Sequence, residues 1–278
     1  MKQFIHKDMP NANLREVLIH SASQLKIIPS NSNIILKALN MIKQENTTMT
    51  QIANLIKNDI GISSKILGIA NSAFFRVGMP VNTVEKAIIN LGIRELKSIL
   101  FCLYYLNIFA DFLHFKKRNL HYMLNHSIFV ALSARLLSQK MGIGEPEDAF
   151  TLSLIHDIGK IVFFINTQWY EKLIEEVQLK RESLIDAERE QFGIDHQEIG
   201  HIIGLKWKLP GMFLHIIKYH HTTEITDDPS FSIFKLIQEA DKFFYYREED
   251  ISPESYILNK DKENIIAETD NLLSIIEY

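Results

Sequence analysis

The sequence predicts an all-α fold. Three observations carry this. Apolar residues recur at helical spacing through most of the chain. No run alternates strictly between turn signals, as a half-buried strand would. Breaks fall at Pro29, Gly78 with Pro80, Gly142 to Pro146, Gly193, Leu209-Pro210-Gly211 and Pro229. Isoleucine and valine are plentiful, but their strand preference is weak against such a pattern.

The elements follow in order. Thr48-Met-Thr-Gln51 is a capping box that opens a helix with Ile52, Leu55 and Ile56 on one face. Ile62, Ile66, Ile69 and Ala70 repeat the spacing. Val84, Ala87, Ile88 and Leu91 continue it, then Leu96, Ile99, Leu100 and Leu103. The stretch from Asp111 to Asn119 turns polar after this long apolar helix and is the expected lobe boundary. The pattern resumes from Ser127 to Leu137 with Val130, Leu132 and Leu136. In the charged tail, Ile265, Ile266, Leu272, Leu273 and Ile276 predict a helix that docks on the body or on a second subunit, which leaves a homodimer open. The expected division is an extension over 1–14, a domain over 15–246 with lobes 15–112 and 118–246, and a tail over 247–278.

Composition narrows the function. The 278 residues are 46% hydrophobic, enough for a sizeable core. Net charge is -4, without the basic excess of proteins that live on nucleic acid or anionic membrane. The longest apolar run, Ile99 to Leu106, is far short of the about twenty residues a membrane span needs. The start, MKQFIHKDMP, lacks a signal-peptide core. The single cysteine, Cys102, lies within ILFCLYYL and reads as a buried small hydrophobe. A soluble cytoplasmic protein with no membrane partner is expected. Gln51 to Gly68 superficially resembles a helix-turn-helix. Its turn, Lys57 to Gly61, reads as too long, and its second helix as too apolar to address base edges, so nucleic acid is not an expected partner.

The chemistry-bearing residues crowd the second half. TLSLIHDIGK, residues 151–160, sets His156 beside Asp157 at the end of an apolar run, with Lys160 one turn later. Such groups are costly to bury unless paired, hydrogen-bonded or bound to metal. His126, His196, His220, His221 and Asp241 lie on or beside other predicted helices at helix-plus-loop intervals, so several helices can each send a ligand into one cavity. Imidazole and carboxylate suit iron, manganese or zinc. Neighbours on a helix project about 100° apart, so His156 and Asp157 converge only on something such as a metal pair lying across it. Lys160 shares the face of His156 and is placed to hold a phosphate oxygen. The plainer alternative makes Asp157 and Lys160 an i,i+3 ion pair on a solvated face, with His126 and His196 satisfying helix ends or carbonyls.

These residues resemble a known family. His126, His156-Asp157 and Asp241 match the H…HD…D pattern of HD phosphohydrolases. Asp59 to Ser72 (DIGISSKILGIANS) and Pro80 to Gly92 (PVNTVEKAIINLG) resemble two helices of the HDOD family, the HD-related output domains of bacterial signalling proteins. Glu190-Gln-Phe-Gly-Ile-Asp-His196, Trp207-Lys-Leu-Pro210 and His220-His221 resemble its later motifs. The likeness runs from about Leu25 to Tyr246.

The resemblance implies an all-α fold with an N-terminal helical bundle packed on an HD-like helical lobe, and a regulatory output module that meets signalling proteins in trans, since no receiver or kinase is evident on this chain. Asn71 and Ser72 are then a contact surface or a plain helix end. It also implies an HD-like site of His126, His156, Asp157, His196, His220, His221 and Asp241 for two divalent ions (Fe, Mn or Zn). The competing expectation is a metal-dependent phosphohydrolase, with Lys160 catalytic and a cyclic dinucleotide or other phosphate as ligand. Two departures from the related HD-GYP phosphodiesterases stand out. Tyr122 replaces the glutamate of their three-metal site, and Thr222-Thr-Glu224 replaces the Gly-Tyr-Pro loop.

Overall fold

A computed structural model describes residues 11–25, 33–76, 78–110, 117–222, 230–245 and 259–277. Among these residues there are helices and no strands. The first lobe holds α2 (Asn33–Ile42), α3 (Met49–Ile56) and α4 (Ile60–Ala70), all packed on the long α5 (Val84–Ala110). Thr48 caps α3 as its sequence predicts. The Thr48 hydroxyl accepts from the Gln51 amide at 3.3 Å, and the Gln51 side chain accepts from the Thr48 amide at 2.8 Å. Asp59 caps α4 by accepting from the Ile62 amide at 2.9 Å.

The turn between α3 and α4 is only Lys57 to Asp59, because Ile60 and Gly61 are already helical. The turn therefore has helix-turn-helix length, contrary to the sequence reading. The second objection stands, since Ile62, Ile66 and Ile69 are buried in the protein's own core.

Helix α5 breaks at Gly92, where φ is 75° and ψ is 174°, a backbone region that side chains disfavour. Ala87, Ile88 and Leu91 before the break and Leu96, Ile99 and Leu100 after it all point into the core. Burial pushes the Cys102 thiol on this helix up to about 12, as befits a packed hydrophobe.

The second lobe is built around α6 (Lys117–Met141). Against it pack α7 (Pro146–Ile155), α8 (Lys160–Asn166) and α13 (Ser230–Tyr245). The lobe also contains α9 (Tyr170–Lys180), α10 (Leu184–Phe192), α11 (His196–Lys206) and α12 (Gly211–Tyr219). The lobes meet where α5 lies on α7. There Arg135 donates to Glu95 at 2.7 Å in a buried ion pair. The Arg135 guanidinium also lies 4.7 Å from the centre of the Phe75 ring, which meets Phe150 edge-on.

Two terminal helices depart from their sequence order. Helix α1 (Asn11–Gln24) packs chiefly on α8, α10 and α11, so it sits with the second lobe, not with the first as the expected boundary had it. The Asn166 amide donates to the Ser21 hydroxyl at 2.8 Å. Helix α14 (Asn259–Glu277) docks on the body across α6 and α4. Ile265, Leu272 and Leu273 are buried as expected, whereas Ile266 is 46% exposed. The side chain of Ile276, and most of the expected lobe boundary at 111–119, lie outside the described residues. No helix among the described residues is long and apolar enough to cross a membrane.

Candidate metal centre

His156 and Asp157 sit in the tight turn between α7 and α8. Its backbone bonds run three residues back, from Ile158 to Ile155, from Lys160 to Asp157 and from Val162 to Gly159. Such a turn has three residues per revolution, so residues i and i+3 eclipse. Lys160 therefore stacks on Asp157, not on His156, and donates to its Oδ2. The ion pair of the plainer reading exists, but both partners are buried.

Gly159 explains how the turn reaches its neighbours. A Cβ there would lie 1.9 Å from the His196 carbonyl oxygen and 2.7 Å from the Gly200 amide nitrogen. Only a glycine lets the backbone of this turn touch α11 and bring Asp157 to His196.

The carboxylate of Asp157 lies between two sets of imidazoles. Its Oδ2 is 3.0 Å from His126 Nε2 and 3.3 Å from His156 Nε2. Its Oδ1 is 3.2 Å from His196 Nε2 and 3.3 Å from His220 Nε2. His126 comes from α6, His196 from the first turn of α11, and His220 from the end of α12. Asp241, on α13, completes the first set, with Oδ1 3.2 Å from His126 Nε2 and 3.7 Å from His156 Nε2. His221 joins the second set, whose candidate ligand atoms with Asp157, His196 and His220 all lie within 4.8 Å of one another. All seven expected ligand positions thus converge.

The donor chemistry fits a metal pair. His156 Nδ1 is 2.6 Å from the Ser153 carbonyl, and His220 Nδ1 is 3.1 Å from those of Ile216 and Ile217. A carbonyl accepts only, so each Nδ1 carries the proton and Nε2 faces the cluster. His196 is held by Glu188, whose Oε2 accepts from its Nδ1 at 2.7 Å and its backbone amide at 2.8 Å. Tyr170 donates its hydroxyl to the other Glu188 oxygen. A carboxylate behind a ligating imidazole fixes its orientation and raises its basicity. The buried Nε2 atoms of His126 and His156 and Oδ1 of Asp157 nonetheless have no aligned hydrogen-bond partner. Atoms so placed are costly unless something completes them.

Electrostatics agree. Burial alone raises the Asp157 carboxyl, but His156 and Lys160 hold it well below the carboxylate range. Burial lowers the Lys160 ammonium, but Asp157 and Asp241 outweigh that and raise it. Burial likewise opposes charge on His156, yet Asp157 and Asp241 lift it to about 10. Burial takes His220 down to about 4.

Glu188 is the residue that motif reading missed, having placed the glutamate at Glu190. Glu190 is exposed, and Glu188 lies in the buried stripe of α10 with Ile185 and Phe192. Asn71 and Ser72 lie apart from the cluster. The Asn71 side chain clamps Val81, donating to its carbonyl and accepting from its amide, both at 2.8 Å. Ser72 is buried, with Glu268 of α14 against its hydroxyl. Tyr122 accepts from Gln178 at 3.1 Å and meets Phe244 edge-on. Thr223 and Glu224 lie outside the described residues.

A cavity of about 1230 Å³ adjoins the cluster. Lys160, His221 and Asp241 line it beside Gln197, Arg189 and Tyr245.

Known proteins share this architecture. An HDOD domain protein of unknown function from Geobacter sulfurreducens is 20% identical, with a TM-score of 0.68 over 96% of this chain and 97% of its own. A candidate metal-dependent phosphohydrolase from Shewanella amazonensis SB2B is 16% identical, with a TM-score of 0.63 over 95% and 99%. A candidate signal transduction protein from Marinobacter aquaeolei VT8 is 15% identical, with a TM-score of 0.63 over 98% of this chain and 67% of its own. At these identities the likeness speaks for the fold alone. The chain spans 39% and 33% of the length of two curated relatives it matches. The HDOD domain profile matches residues 28–223, and the chain belongs to the HDOD domain family.

Proposed function

We propose that this protein is a signalling module whose His/Asp cluster holds two divalent metal ions and, beside them, a phosphate-containing ligand. One observation carries the reading. Asp157 faces two imidazoles with each carboxylate oxygen, and several of these buried atoms have no aligned partner. His126, His156 and Asp241 would hold one ion, and His196, His220 and His221 the other, with Asp157 shared. The ligand chemistry favours iron, manganese or zinc. The signalling role, with partner proteins acting in trans, rests on the HDOD family and on the name of the Marinobacter relative.

A second reading, phosphate ester hydrolysis, is favoured by Lys160. Its buried ammonium lines the cavity beside Asp157, where it can meet a phosphate's negative charge. A metal pair in such a site supplies Lewis acidity toward phosphate and water. The name of the Shewanella relative points the same way.

Calorimetric titration of metal-loaded and metal-free protein with inorganic phosphate, and then with a cyclic dinucleotide, tests the proposal. Binding confined to the loaded protein is expected. Equal binding by both forms, or by neither, contradicts it. Phosphate release from a bound ester separates the second reading from the first.

A further inference from the structure

Gln197 is the second residue of α11, directly after the ligand candidate His196. It is only 6% exposed, and its amide nitrogen has no hydrogen-bond partner. Among the described residues lining the large cavity, no other has a buried side-chain polar atom lacking a partner. A buried amide N–H without an acceptor is costly, so the residue is incomplete as it stands. Gln197 lines the cavity wall, so a ligand seated there meets a carboxamide whose N–H groups need an acceptor.

The surroundings say what would accept. Lys160, also more than nine-tenths buried and paired with Asp157, lines the same cavity, as does the half-exposed Arg189, which donates to Asp195 at 2.7 Å. The positive end of the α11 dipole adds to them. One buried ammonium and a buried amide donor together suit an oxyanion. Gln197 also lines a second cavity of about 470 Å³, and Arg189 and Thr222 are common to both walls. In the second cavity Lys218 lies 5.0 Å from the centre of the Tyr219 ring.

We infer that Gln197 is a ligand-reading residue, whose carboxamide donates to a phosphate oxygen of an ester anchored beside Lys160, with the organic part of that ester crossing Gln197 toward the second cavity. This assignment rests on the proposed metal-and-phosphate site. It deepens that reading by naming a residue outside the metal-ligand set as the reader of the phosphate ester.

The test uses the full chain, metal-loaded, with inorganic phosphate and phenyl phosphate as calorimetric probes. Gln197→Leu and the near-isosteric Gln197→Glu are each compared with the unchanged protein for helicity, metal content and affinity. Metal content is expected to hold in both. Affinity for both probes should fall about tenfold in Gln197→Leu and further in Gln197→Glu, where a carboxylate faces the anion. If Gln197→Leu fails to fold, the Gln197→Glu comparison decides alone. Unchanged protein that carries metal but binds neither probe overturns the phosphate reading and this assignment together. Unchanged protein that binds, with a folded variant of equal affinity, overturns the role of Gln197 alone.

Discussion

Asp157 and His196 meet at 3.2 Å, Oδ1 to Nε2, across a contact between the α7–α8 turn and α11 that a side chain at position 159 would block. The other oxygen of Asp157 faces His126 and His156. One carboxylate therefore belongs to both halves of the cluster, and changes that move it or its partners are felt in both.

Glu188 is expected to act through His196. Outer partners of a ligating imidazole typically contribute tenfold to a hundredfold in metal affinity. Glu188→Gln keeps the shape but removes the charge that faces Nδ1. Competition with a chelator of known affinity should show roughly a tenfold weakening, and an unchanged affinity would remove Glu188 from the metal site.

Metal binding should release protons. In the metal-free protein, burial opposes the charge on His156 and His196, but Asp157 and Asp241 lift the first to about 10 and Glu188 lifts the second to about 9. Both are then cationic at neutral pH and must lose a proton to bind metal, whereas His220, at about 4, is already neutral. Affinity should therefore rise with pH up to about 9 or 10. The same shifts set the stability of the metal-free form. Folded values above the ordinary 6.5 mean that the contribution is full below 6.5 and is lost as pH rises through 9 to 10. Calorimetry in buffers of different ionisation heat, together with melting curves of metal-free protein from pH 6 to 10, checks both expectations.

Gly159→Ala should be among the costliest small substitutions in the chain. The added methyl would sit 1.9 Å from a backbone oxygen, which cannot rotate away. Overpacking typically costs about 1–3 kcal/mol, and a clash with backbone belongs at the upper end of that range. Urea unfolding measures it, and a cost under about 1 kcal/mol would mean that the two segments separate freely.

The tail helix is expected to be held by its apolar face. Leu272 is buried, and its truncation to Ala should cost about 3 kcal/mol. Lys140 reaches Asp261 at 2.6 Å near the surface, and Lys140→Ala should cost at most about 1 kcal/mol. The reverse order in denaturant melts would show that charge, not packing, docks α14.

The residues that sequence reading found, and those it misplaced, differ in a physical way. The capping box at Thr48 is a local pattern, and it forms. The convergence of the candidate ligands is legible because seven costly groups in one half of the chain demand a common explanation. In a regular helix, where i+4 shares a face, Lys160 would lie with His156. The tight turn puts i+3 there instead. Counting along the motif points to Glu190, whereas the stripe of Ile185, Glu188 and Phe192 marks Glu188 as the inward-facing acid. The placement of α1 was not legible at all. Its apolar face fits either lobe by periodicity, and only tertiary packing chooses α8, α10 and α11.

The shared carboxylate is tested most directly by metal content. Tag-free protein and Asp157→Ala, both purified without chelator, would be measured by plasma mass spectrometry alongside circular dichroism. About two equivalents of iron, manganese or zinc per chain, both lost in a folded Asp157→Ala, is the predicted result. A chain that holds no metal, or a folded variant that keeps its full complement, would contradict the account.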